Sequence, residues 1–133
     1  MLGLFPGGVE LLPEALLGVG LAERLEARRT GRVEPPPYDA KRDPQTLVLN
    51  PQALVRYSIE LAGAVGGALG RGEFPVVLGG DCSILLGNLL ALRRRGRYGL
   101  LFLDAHADFY QAEAEPKGRS RVDGARVRDR TGS

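Results

Sequence analysis

Two long amphipathic stretches and two short apolar runs alternate in the second half of the chain. Between residues 52 and 70, Leu54, Tyr57, Ser58, Leu61, Ala62 and Val65 recur at helical spacing, which predicts a helix with one apolar face. Asn50-Pro51 just before it suits a helix entry, with Asn50 as N-cap and Pro51 in the first helical position. Gly66, Gly67 and Gly70 weaken the end of this helix and then stop it. Residues 82–95 repeat the pattern through Ile84, Leu85, Leu89, Leu90 and Leu92. Arg93, Arg94 and Arg95 close that stretch, where cations complement a helix dipole and form a solvated face. Residues 9–29 read as helical in two pieces, with Pro13 in a first turn and Gly18 and Gly20 as the interruption. Pro35-Pro36-Pro37 enforces extended backbone and reads as a stiff linker before a polar loop at 38–50.

The two apolar runs are Pro75-Val76-Val77-Leu78 and Tyr98-Gly99-Leu100-Leu101-Phe102-Leu103. Both are short, continuous and bounded by turn residues, which predicts buried strands. Strand, helix and strand in succession make a βαβ unit, and such units build parallel sheets with right-handed crossovers. The fold class is therefore α/β. Ligands in open α/β sheets lie beyond the carboxyl ends of the strands. Each run ends in a polar motif at that position. Gly79-Gly80-Asp81-Cys82-Ser83 follows the first, and Asp104-Ala105-His106-Ala107-Asp108 follows the second. In an extended chain Asp104, His106 and Asp108 point the same way. Two carboxylates and an imidazole on one side suit Mn, Fe or Zn better than Cu(I). The plain alternative for so short a spacing is a solvated polar loop after a strand.

Together the motifs resemble those of the ureohydrolase superfamily, the arginase, agmatinase and formiminoglutamase group, which carries G-G-D-H-S after one strand and D-A-H-x-D after the next. The resemblance runs from about Gly3 to about Pro116. It implies a three-layer α/β domain, a mainly parallel sheet with flanking helices, present here in incomplete form. It also makes Arg32-Val33-Glu34 a candidate strand and leaves the family's first strand either absent or shortened to Leu2-Gly3-Leu4-Phe5. The family binds two Mn2+ ions, which activate water to hydrolyse a linear amidine C–N bond in a guanidino or formimino compound. Carried over by position, Asp104 bridges both ions, His106 binds one, Asp108 binds the other, and Asp81 orients the ligand loop. Cys82 stands where the family has the histidine that shares an ion with Asp108. Two readings of Cys82 stay open. A thiolate ligand favours Zn2+ or Fe2+ over Mn2+, and a buried structural cysteine is the other. The family's later S-x-D-x-D motif is not found, and His106 is the only histidine. The resemblance thus implies at most one ion held by this chain alone, no catalytic residue assigned within it, and a truncated, inactive ureohydrolase whose substrate is not legible.

Composition narrows the partners. Of 133 residues, 44% are hydrophobic and 26% charged, which is globular. No apolar run approaches the length of a membrane span, and no signal peptide is expected. One cysteine makes no internal disulfide, which fits a cytoplasmic setting. The net charge of +2 hides an asymmetry. Residues 1–116 hold 12 basic and 14 acidic side chains, and residues 117–133 hold 6 and 2. The body is mildly acidic, so nucleic acid is not an expected partner. Residues 117–133 form a basic tail with a disorder-like composition, either a native tail or the product of a frame change after Gly118. Two other function classes remain. Cys82 and His106 could pair as thiol and imidazole for acyl transfer, or the chain could act by association, as a homo-oligomer or along an unfinished sheet edge.

Overall fold

The computed structural model describes residues 7–39, 41–101 and 103. A 3-10 turn at Val9–Leu11 leads into helix α1 (Leu12–Gly18), and helix α2 (Leu21–Arg24) follows after a break. Pro13 lies in the first turn of α1, where its missing N–H costs nothing. The break falls at Gly20, which takes a left-handed φ of 82°. These are the two helical pieces expected over residues 9–29, ending earlier than the pattern suggested.

Helix α3 (Pro51–Gly70) is the longest element, and it buries Leu54, Ser58, Leu61, Ala62, Val65 and Ala68. That set is the predicted apolar face, extended by one turn at Ala68, with Tyr57 half-buried beside it. Asn50 precedes the helix as expected but does not cap it through its side chain. Its backbone is left-handed, and its Oδ1 instead accepts the Asp39 N–H at 2.7 Å. The polar loop before α3 is closed by a carboxylate. Asp43 Oδ1 accepts the N–H of Gln45 at 3.1 Å and of Thr46 at 2.7 Å, which is an Asx turn. Among the described residues, a β-bridge joins Arg42 to Leu49.

Helix α4 (Ile84–Arg93) lies on α3. Leu61, Ala62, Val65 and Ala91 form the core between them, with Val33, Tyr57, Leu69, Val77, Ile84 and Leu90 packed against it. The approach is closest at Gly87, where a Cβ would come within 2.8 Å of Leu61 Cβ. At the other end, Arg95 Nη1 lies 3.9 Å from the place a Cβ on Gly70 would occupy. Both contacts advance along both helices together, so α3 and α4 run in the same direction. Parallel neighbouring helices separated by one extended segment are the arrangement of a parallel α/β unit.

The expected strands are not paired into ladders among the described residues. Among the described residues, 32–34, 74–79 and 97–101 belong to no ladder. Phe74 is 91% exposed, and Leu101 and Leu103 are 83% and 87% exposed. A strand needs partners from distant sequence before its backbone groups and side chains are covered, and no such partner is in place among the described residues. Ser58 Oγ and Asn88 Oδ1 are likewise buried with no hydrogen-bond partner. The expected first strand at 2–5 and the tail at 117–133 lie outside the described residues. No described helix is long and apolar enough to cross a membrane.

Packing at Gly87 gives a stability test. Gly87→Val drives a side chain into Leu61 and should lower unfolding stability by about 1–3 kcal/mol. Gly63→Ala, on the same helix bundle but in open space, should raise it by about 0.5–1 kcal/mol through helix propensity. Urea denaturation measures both, and equal responses at the two sites would contradict the close approach.

Candidate metal centre

The turn between the 74–78 segment and α4 carries the first motif. Gly79 sits against the first residue of α4. A Cβ on Gly79 would fall 2.5 Å from Ile84 Cδ1 and 2.7 Å from Ile84 Cγ2. The second contact is to a β-branched methyl with little freedom to move, so the turn requires glycine there. Asp81 follows, half-buried, and its Oδ1 accepts the Ser83 N–H at 2.9 Å. The Ser83 hydroxyl donates to the same oxygen. Ser83 is buried at 4% exposure. The carboxylate therefore takes up an N–H at the mouth of α4 that has no partner within the helix. Its position inside a D-x-S spacing is the sequence signal for this turn. Asp81 braces this turn through Ser83.

Cys82 is half-buried between these two residues. Its carbonyl accepts the Leu85 N–H at 3.0 Å, so the chain begins to wind at Cys82. Regular helix starts only at Ile84, two residues later than the pattern suggested. The thiol thus precedes the helix rather than belonging to its first turn, where a dipole acts most strongly.

A groove of about 1020 Å³ opens beside the motif. Its floor includes Leu61 and Val65 of α3, and Asp81, Ser83 and Tyr57 line one part of it. Tyr57 was read from the sequence only as part of a helix face. Burial holds its phenol above the ordinary pKa of 10.0, and the charges of Asp81 and Glu34 push it the same way against Arg32. Nothing in a helical apolar pattern signals a tyrosine placed among carboxylates, since Glu34 and Asp81 come from distant segments.

Asp104, His106 and Asp108 lie outside the described residues. Among the described residues no three His, Cys, Asp or Glu side chains gather as a metal site. Of the predicted ligand set, Cys82 alone falls among the described residues, in one turn with the orienting candidate Asp81.

Comparison with known proteins bears on the whole stretch. The model of the Arginase family matches residues 8–124, which includes both motifs and passes residue 116. An arginase of Bacillus caldovelox is 36% identical over 125 residues, covering 88% of this chain and 42% of that protein. Arginase-1 of Homo sapiens is 34% identical over 107 residues, covering 77% and 33%. An arginase of Staphylococcus aureus (strain COL) is 29% identical over 119 residues, covering 84% and 39%. The chain thus spans between a third and about two fifths of the length of these relatives. No solved structure matches it.

Two measurements check the geometry. Asp81→Ala removes the acceptor for Ser83 and should cost about 0.5–2 kcal/mol, while Asp81→Asn, which keeps an acceptor oxygen, should cost less. Equal losses in thermal unfolding would contradict the capping role. A phenol that holds its proton more tightly folded than unfolded contributes stability in full below its unfolded pKa, and that contribution is lost as pH rises through the folded pKa. Ultraviolet titration of the four tyrosines should show one late component that Tyr57→Phe removes. A Tyr57→Phe protein should also lose less stability than the parent as pH rises beyond the unfolded phenol range.

Proposed function

The chain belongs to the arginase family, and from that premise we propose that it carries the metal-binding segment of a ureohydrolase acting on a linear amidine C–N bond. The observation that carries the reading is the pairing of two motifs. Gly79-Gly80-Asp81-Cys82-Ser83 and Asp104-Ala105-His106-Ala107-Asp108 both fall inside the family match, one before α4 in sequence and one after it.

The donor set fits a divalent cation. Asp104, His106 and Asp108 offer two carboxylates and an imidazole, and Cys82 adds a sulfur. Bound ions would supply Lewis acidity and lower the pKa of water toward neutrality. The chain's own part is to hold donors and fix their direction. Asp81 does the second by bracing the turn through Ser83, so the Cys82 side chain is carried on a loop with little freedom. The substrate in this reading is a small guanidino or formimino compound, and the setting is cytoplasmic.

Within these residues the donors suffice for one ion. A two-metal site holds ions about 3.5–4 Å apart with shared bridging ligands, and Asp104 is the single bridging candidate. The thiol–imidazole alternative loses ground because Cys82 precedes α4 rather than occupying its first turn. The association reading keeps support from the exposed apolar residues Phe74, Leu101 and Leu103, and light scattering tests it, since a monomer at tens of micromolar removes it.

Isothermal titration with Mn2+ and Zn2+, beside a urea-release assay on arginine and agmatine, tests the proposal. At most one weakly held ion per chain and negligible urea release are expected. Cys82→His should shift the preference from Zn2+ toward Mn2+ without adding a second ion. Two tightly held Mn2+ ions per chain would overturn the ligand count. No binding at all, unchanged by Asp104→Ala, would overturn the metal reading.

A further inference from the structure

We propose that the end of the molecule where α3 and α4 finish binds single-stranded nucleic acid. Arginines there hold phosphates, and exposed aromatic rings stack on bases. Arg93, Arg94, Arg95 and Arg97 lie almost consecutively, and all four are exposed. The sequence has no acidic residue between Asp81 and Asp104. Because α3 and α4 run in the same direction, Arg71 after α3 comes to the same end. Arg95 Nη1 lies 3.9 Å from the place of a Cβ on Gly70, and Arg71 Nη1 lies 3.5 Å from that on Gly67. Glu73, beside Arg71, is already held by Arg28 at 2.6 Å and by Arg71 at 2.8 Å. The positive surplus therefore belongs to Arg93, Arg94, Arg95 and Arg97.

The helix dipole accounts for part of this cluster. Arg93 lies in the last turn of α4, and Arg95 reaches the last turn of α3. That attraction fades within one turn of a helix end, and Arg97 lies beyond it. Guanidiniums at neighbouring positions also repel one another, and a bound polyanion relieves the repulsion.

Aromatic side chains favour nucleic acid over an acidic polypeptide. Phe74 follows the end of α3 and Tyr98 the end of α4. They are 91% and 59% exposed. Rings beside cations are platforms for unpaired bases, which a carboxylate chain does not use. Bases within a duplex are already stacked, so a single strand fits better. Guanidinium also grips phosphate bidentately, where an ammonium acts as a point charge. Arg95-Gly96-Arg97-Tyr98-Gly99 has the arginine, glycine and aromatic makeup of segments that track single strands. The mild acidity of residues 1–116 averages over this end and does not describe it. The length of α4, about 15 Å, separates the cluster from the turn that carries Cys82, so the inference does not rest on the metal reading.

Fluorescence anisotropy of the full chain with a labelled oligothymidylate tests it. Binding at low salt should be roughly micromolar, with a log–log salt slope of roughly −2 to −3, as for about three or four neutralised phosphates. Arg93→Gln, Arg94→Gln and Arg97→Gln combined should weaken binding about tenfold or more and flatten the slope by roughly 2. Arg126→Gln, Arg128→Gln and Arg130→Gln combined make the same charge change in the basic tail, and should weaken it less than about threefold. Tyr98→Leu should weaken oligothymidylate binding about fivefold or more and leave inorganic polyphosphate binding unchanged. A tail variant that loses as much as the cluster variant would place binding in the tail and overturn the proposal. Equal losses of oligothymidylate and polyphosphate with Tyr98→Leu, or no loss of either, would overturn the stacking. Two readings need only the unmodified chain and decide even if a variant fails to fold. Absence of binding at low salt overturns the proposal, and displacement by polyglutamate as readily as by unlabelled oligothymidylate assigns the surface to an acidic polypeptide instead.

Discussion

The contact between Gly87 and Leu61 governs the described architecture. With no side chain at Gly87, α4 settles onto α3 closely enough that a Cβ would overlap Leu61. Close seating buries Ala91 beside Ala62 and brings Ile84, at the start of α4, against the core. Ile84 in turn meets Gly79, so the turn bearing Asp81, Cys82 and Ser83 is set by the same helix pair. A motif of polar residues at the end of an extended segment is thereby positioned by apolar packing one and two turns away. The chemistry of the turn depends on a glycine that touches none of its donors.

Elements whose signal is local were legible in the sequence. The 3.6-residue recurrence from Leu54 to Val65 named the buried face of α3, because a helix satisfies its own backbone and needs only one side covered. The interruption at Gly20 was equally readable, since a left-handed residue there favours glycine. Caps were less legible. Asn50 has the residue type of an N-cap, yet its side chain is taken by Asp39 from the preceding loop. Cys82 and Ser83 read as helix from apolar spacing alone, yet Asp81 draws the Ser83 N–H into a turn first. Short polar side chains that bond nearby backbone compete with the helix at its entry, and periodicity carries no trace of that competition.

Strands are the opposite case. Pro75-Val76-Val77-Leu78 has the composition of a strand, but composition is only half of a strand. The other half is a partner from elsewhere in the chain, which no local pattern names. The parallel course of α3 and α4, read from Leu61 with Gly87 and Gly70 with Arg95, is a more telling sign of an α/β unit than any single apolar run. It agrees with the family match over residues 8–124. The candidate site follows the same division. Two short motifs are enough to name candidate donors, whereas the placement of Tyr57 beside Asp81 and Glu34 depends on segments far apart in sequence.

The substitution at residue 82 is best weighed against its neighbours. Asp81 is engaged with Ser83 through one oxygen, which fixes the turn whichever side chain follows it. A histidine at 82 would present nitrogen from this braced position, and cysteine presents sulfur on a shorter stem. The turn therefore tolerates the exchange mechanically, while the donor changes from borderline to soft. If Cys82 is a ligand as proposed, a soft donor beside hard carboxylates would lower the advantage of Mn2+ and raise that of Zn2+. The packing that sets the turn, from Gly87 through Ile84 to Gly79, involves none of the atoms that differ. The packing of the turn is for that reason separable from the side chain at residue 82, and exchanging that side chain leaves the Gly87–Ile84–Gly79 contacts in place.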